Sequence, residues 1–250
     1  MGFHPASRVE NGNIVMPLTF VDGSSAEAVA PPNLGIQDMS AAIYTSGGLG
    51  SVDRTMDFRY LNGSSFMYEG PLEAYEGDGG APVEVWKGPP GDWECPNLVF
   101  RFGDWFVGVR TCQGELSESE KRDWARLLRG KVTSGGFLVL FATEPLVLTE
   151  AGGHEGPEIY LGMDRANWIQ LQPGKCNPDN YASDGHIRIM PDGTRVSFNQ
   201  LEDGNSKIEY DWFVSWCEDG LMRVQVEYAY EEFAKTAAAS FRLREIVLAQ

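Results

Sequence analysis

Histidine is scarce in this chain. Its 250 residues hold three, His4, His154 and His186, which leaves little room for histidine-based acid–base chemistry. The four cysteines, Cys95, Cys112, Cys176 and Cys217, include no Cys-x-x-Cys pair, which argues against a zinc site. Positive charge is short: 20 Lys and Arg stand against 36 Asp and Glu, a net charge of −16. Such a balance excludes nucleic-acid backbone binding and attraction to anionic membrane surfaces. It permits a basic protein partner or mimicry of nucleic acid, although solubility alone also accounts for it. No apolar run approaches the ~20 residues a membrane-spanning helix needs. The N-terminus MGFHPASRVENGN lacks a basic start followed by an apolar stretch, and Ala6 stands where a myristoylation motif requires Ser or Thr. These features lead to the expectation of a cytoplasmic protein.

Catalytic signatures are missing as well. Gly47-Gly48-Leu49-Gly50 has neither the Lys-Ser/Thr of a phosphate loop nor the spacing of a dinucleotide fingerprint. There is no Gly-x-Ser-x-Gly elbow and no His-Glu-x-x-His. No cofactor is expected, and the protein is read as leaning away from being an enzyme.

What the chain does have is material for a core: 42% hydrophobic and 12% aromatic residues, with Gly 29 and Pro 14 supplying turns. The expected fold class is α+β, mainly antiparallel β-hairpins in a sheet or sandwich, with two packed helices near 118–129 and 230–240. The chain reads as a single compact domain over 1–250. Two lobes are the variant: an irregular β-rich part over 1–92 and an α+β part over 93–250.

Four hairpins carry this reading. Asn62-Gly63 turns a hairpin over Met56–Glu69. Gly103-Asp104 turns Asn97–Thr111 and puts Phe102, Phe100 and Leu98 opposite Trp105, Val107 and Val109. In that register Cys95 falls opposite Cys112 at disulfide spacing. Asp192-Gly193, taken as a two-residue turn, pairs Ile187 with Phe198 and Ile189 with Val196. Glu218-Asp219-Gly220, as a three-residue loop, sets Trp212, Val214 and Trp216 opposite Val226, Val224 and Met222, giving one wholly apolar face. Residues 22–55 read as a long irregular segment with one short strand at Ala42–Thr45. Ser117-Glu118-Ser119-Glu120 is a capping box, and Gly130 reads as the helix terminator. The order strand, strand, helix, strand occurs twice, over 98–142 and 210–249. Asp-Trp-Phe-Val recurs at Asp104–Val107 and Asp211–Val214, though at different places in the two units.

Candidate sites are few, and each has a plainer structural reading. His154-Glu155, in a glycine-flanked loop, is the weak catalytic candidate together with His186; an exposed loop pair is the alternative. Asp179 and Asp184 offer oxygen ligands, but the loop lacks EF-hand order and reads as Asx-rich turns, so no metal is expected. Most tryptophans fall on core faces. Trp86 and Trp93 do not, and with Glu73, Glu76 and Asp78 they form the candidate ligand or partner surface. The expected function is an acidic protein-binding module of the immunity or inhibitor kind, with a basic protein as partner. The alternatives are a small-molecule-binding protein or enzyme with an aromatic-lined pocket, and a structural or assembly component such as a phage protein.

Overall fold

The computed structural model describes residues 3–49, 52–60, 73–76, 82–87, 97–110, 117–153, 156–163, 166–177, 186–200 and 212–249. The chain opens with strands β1 (Arg8–Glu10), β2 (Asn13–Thr19) and β3 (Ser25–Ala30), followed by two single 3-10 turns and β4 (Ser40–Leu49). Next come β5 (Val52–Tyr60), β6 (Glu73–Glu76), β7 (Pro82–Lys87), β8 (Asn97–Phe102) and β9 (Trp105–Arg110). Helix α1 (Glu118–Leu127) leads into β10 (Leu128–Val132), β11 (Leu138–Ala142) and β12 (Leu146–Leu148). The remainder is β13 (Glu158–Met163), β14 (Ala166–Pro173), β15 (His186–Ile189), β16 (Arg195–Gln200), β17 (Trp212–Glu218), β18 (Met222–Ala229), α2 (Glu231–Ser240) and β19 (Arg242–Val247).

All pairings are antiparallel, and two helices accompany them, so the fold is α+β with antiparallel sheets. A long sheet runs in the order β15-β16-β17-β18-β14-β13-β4-β5-β9-β8-β7-β6, with β12 also on β4. A four-stranded sheet has the order β1-β2-β3-β19, and β10 pairs with β11. The long sheet draws strands from both sides of residue 93. Its core face is apolar along its central strands: Ile43, Ile159, Leu161, Ile169, Leu171, Val224, Val226, Val214 and Trp216 are all buried. Each large side chain so buried stabilises the fold by roughly 1.5–3 kcal/mol before entropy is subtracted. Helix α2 runs beside β17 and β18 and buries Ala234, Ala237 and Ala238; small residues let the helix come close to the sheet. Among the described residues, no helix is long and apolar enough to cross a membrane.

Local chemistry decides the registers. The β8–β9 hairpin has the expected pairing: Phe102 with Trp105, Phe100 with Val107, Leu98 with Val109. Cys95 and Cys112 lie outside the described residues, as do Asn62-Gly63 and the far part of its hairpin. The capping box at Ser117 is present, with Ser117 and Glu120 bonded reciprocally.

Four expectations are corrected. Helix α1 ends at Leu127, and Gly130 lies inside β10 instead of terminating it; a Cβ there would meet the Phe102 ring at 2.6 Å, so close packing requires the glycine. The segment 22–55 is not largely irregular, since β3 and most of β4 occupy it. The β15–β16 hairpin slips by one residue: Ile187 faces Ser197, and Arg188 faces Val196. Proline cannot donate to a ladder, so Pro191 belongs to the turn, and Met190 closes on Thr194 around a three-residue loop. Ile187 and Ile189 are consequently exposed, and Arg188 sits over the Phe198 ring at 4.8 Å. In β17–β18 the faces are as expected but the pairing shifts by two, with Trp216 opposite Val224 and Glu218 opposite Met222. Asp219 and Gly220 both have positive φ, so the chain turns immediately after Glu218, which joins the strand.

Candidate functional site

Alternation in the central strands of the long sheet leaves a second face, and its residues are polar and aromatic. Register places them in rows across the strands. One row runs Ser197, Ser215, Gln225, Gln170, Tyr160, Ala42, each directly opposite the next. On one side lie Trp168 and Glu227, which face each other. On the other side Tyr44 and Glu158 face each other, and Gln172, Arg223 and Cys217 form a run.

Tyr160 is the centre of this face. Its hydroxyl donates to Glu158 Oε2 at 3.1 Å. Its ring meets Tyr44 edge-on at 5.2 Å and Trp168 at 6.4 Å. The Trp168 indole lies over Gly162, where any Cβ would come within 2.5 Å of the ring, so the glycine is what lets the indole lie against the sheet. Burial pushes the Tyr160 phenol well above its ordinary pKa, and the charges of Glu158 and Glu227 push it further. Burial also raises the Glu227 carboxyl, Glu158 adds to that, and Arg223 opposes it. Three rings and two carboxylates thus share one patch, and Arg223 is the cation that bears on Glu227.

A disulfide borders the same face. Cys176 and Cys217 are bonded, with Cα atoms 5.9 Å apart at a sequence separation of 41. It ties the segment after β14 to the outward side of β17. Beside it Gln172 Nε2 donates to the Gly153 carbonyl at 3.2 Å, and Gly174 approaches the backbone of Gly152 so closely that a Cβ would come within 2.5 Å. The glycine-rich stretch before His154 is therefore anchored at this border.

The residues singled out in the sequence fall elsewhere or outside the described residues. His154, Glu155, Trp93, Asp78, Asp179 and Asp184 lie outside them. His186 begins β15 opposite Phe198. Glu73 and Glu76 lie on β6, the end strand, and Trp86 on β7, opposite Val99. Glu73 pairs with Val85 and Glu76 with Pro82. Among the described residues no three His, Cys, Asp or Glu side chains gather in a metal-binding group. The patch around Tyr160 escaped sequence reading because its members come from four separate strands. The available signal was period-two alternation in Ala166–Pro173, where Trp168, Gln170 and Gln172 alternate with Ile169 and Leu171.

No family model, curated protein or solved structure matches this chain.

Proposed function

We propose that the protein is a non-catalytic binding module that takes a cationic group of a basic protein partner on the outward face of its long sheet. The observation that carries this reading is the patch itself: Tyr44, Tyr160 and Trp168 beside Glu158 and Glu227. Aromatic rings attract a cation through their quadrupole, and adjacent carboxylates add direct charge. The raised Glu227 carboxyl supports it, because a cation arriving beside that group relieves both its burial and its repulsion from Glu158. The chain's −16 charge steers such a partner toward the protein. The acidic edge with Glu73, Glu76 and Trp86 would then contribute to encounter. Asp78 and Trp93 follow in the same stretch of sequence.

The Cys176–Cys217 bond favours an oxidising compartment over the cytoplasm expected from the N-terminus, because structural disulfides persist where thiols are not kept reduced.

Calorimetric titration with penta-lysine tests the proposal. Binding should weaken steeply between ~50 mM and ~500 mM salt, and the Glu158→Gln/Glu227→Gln double variant should lose it while folding normally. Affinity indifferent to both salt and these substitutions would overturn the reading.

A further inference from the structure

Strand β15 ends the long sheet. It pairs with β16 on one side, and among the described residues no strand lies on the other. The Met190 N–H donates to the Thr194 carbonyl at 2.8 Å and closes the β15–β16 turn. From there bonded and non-bonded pairs alternate along an antiparallel hairpin. Arg188, opposite Val196, therefore turns its N–H and C=O toward β16, whereas Ile187 and Ile189 turn theirs away from the sheet. Those two residues are 38% and 74% exposed. The backbone donors and acceptors of the edge thus stand at the residues that present apolar side chains to solvent, and an edge of this kind pairs with a further strand. Between the two isoleucines the exposed Arg188 guanidinium lies over the Phe198 ring at 4.8 Å. None of the ion pairs among the described residues includes Arg188.

We propose that β15 is a docking edge for an extended segment of a partner protein in which one acidic residue stands between two β-branched apolar residues. The segment adds as an antiparallel strand and exchanges backbone hydrogen bonds with Ile187 and Ile189. That register puts Arg188 in a non-bonded pair, where opposing side chains come closest, so the residue facing it must complement a cation. Its neighbours lie against the side chains of Ile187 and Ile189, which accounts for the apolar flanks. A second copy of the chain is the poorer occupant. The two-fold register that pairs both isoleucines sets Arg188 against Arg188, and like charges directly opposite are destabilising. The net charge of −16 does not forbid an acidic segment. At physiological salt, exposed charges farther than ~8 Å are screened, so the local guanidinium decides. This edge is separate from the aromatic patch, and its groups take no part in the cationic reading.

The test is an amide NMR titration of the intact protein with the blocked peptide Thr-Val-Glu-Val-Thr, up to ~10 mM, well above a millimolar Kd. The Ile187 and Ile189 amide resonances should shift and saturate. Lysine in place of the peptide's glutamate, or Arg188→Glu in the protein, should weaken binding about fivefold, the scale of one cross-strand charge pair. Combining the two changes should restore it. Methylating the two valine nitrogens of the peptide should abolish binding, with the protein untouched. Ile189→Pro should abolish it too while the protein stays folded, because the Ile189 N–H is not part of the β15–β16 ladder. The same variant should bind penta-lysine as wild type does, which separates this edge from the aromatic patch. No shift at Ile187 and Ile189, or equal binding of the methylated peptide, would overturn the proposal. So would a dimer in light scattering that Ile189→Pro disperses, because that result gives the edge to a second copy.

Discussion

Replacing Trp216 with phenylalanine tests how the β17–β18 hairpin is held. Trp216 is 0% exposed, and its indole N–H donates at 2.6 Å to Glu218, itself 8% exposed. Phenylalanine keeps much of the apolar bulk, including the edge contact toward Phe241, but removes the donor. A hydrogen bond to a charged group contributes about 1.5–3 kcal/mol. The smaller ring adds a cavity cost of about 1 kcal/mol, the scale of an Ile→Val change. At 2–4 °C per kcal/mol for a chain of this size, Tm should fall by roughly 5–15 °C. The loss should also depend on pH. Burial raises the Glu218 carboxyl above its ordinary value, while the Trp216 hydrogen bond opposes that rise. An acid with a raised folded pKa holds its proton more tightly when folded. Its burial cost is therefore absent below the unfolded pKa and grows as pH climbs through the folded value. Without the Trp216 donor that value rises further, so the variant should lose more stability at about pH 8 than at about pH 4. Thermal melts of wild type, Trp216→Phe, Glu218→Gln and the double variant at both pH values supply the measurement. A Trp216→Phe deficit equal at the two pH values, or unchanged when Glu218 is already glutamine, would refute the reasoning.

Three further outcomes follow from the same geometry. Breaking the Cys176–Cys217 bond, by reductant or by paired serine substitutions, should cost about 4 kcal/mol on the chain-entropy estimate for a loop of this length; peptide mapping of the unreduced protein should recover the two cysteines in one linked fragment. Gly162→Ala should lower stability by about 1–3 kcal/mol and shift the emission of Trp168, because the new methyl group displaces its indole. In an ultraviolet alkaline titration Tyr160 should stay protonated while exposed tyrosines ionise near pH ~10. Its raised folded pKa makes stability fall as pH rises through that region, and Tyr160→Phe should remove that contribution.

The hairpins that sequence reading placed correctly have their register fixed by local chemistry. Gly103-Asp104 lies between two apolar strands, and any slip would expose Phe100 or Trp105. At Asp192-Gly193 the same dipeptide logic failed by one residue, because Pro191 pulled the turn back by one position. At Glu218 the wholly apolar face pointed to a three-residue loop, whereas the residue joins the strand and the indole of Trp216 satisfies its carboxylate there. Strand β3 escaped notice because its sequence SAEAVA alternates small residues with little hydrophobic contrast. Strand β10 escaped because it continues directly from a helix and contains a glycine. The order of strands across the long sheet was not legible. It joins β4 to β13 and β14 to β18, pairings between residues distant in sequence that no local pattern encodes. The patch around Tyr160 and the disulfide both depend on that order, so both became visible only in three dimensions.

The central claim is that the binding face surrounds Tyr160 and Trp168, and not the acidic stretch with Trp86 and Trp93. Fluorine NMR of protein labelled with 5-fluorotryptophan tests it most directly. The chain has seven tryptophans, each assignable by single phenylalanine substitution. On titration with penta-lysine the Trp168 resonance should move and saturate, while the buried Trp105, Trp124 and Trp216 stay fixed. Movement of Trp86 or Trp93 with Trp168 unaffected would contradict the account and return the binding face to the acidic edge.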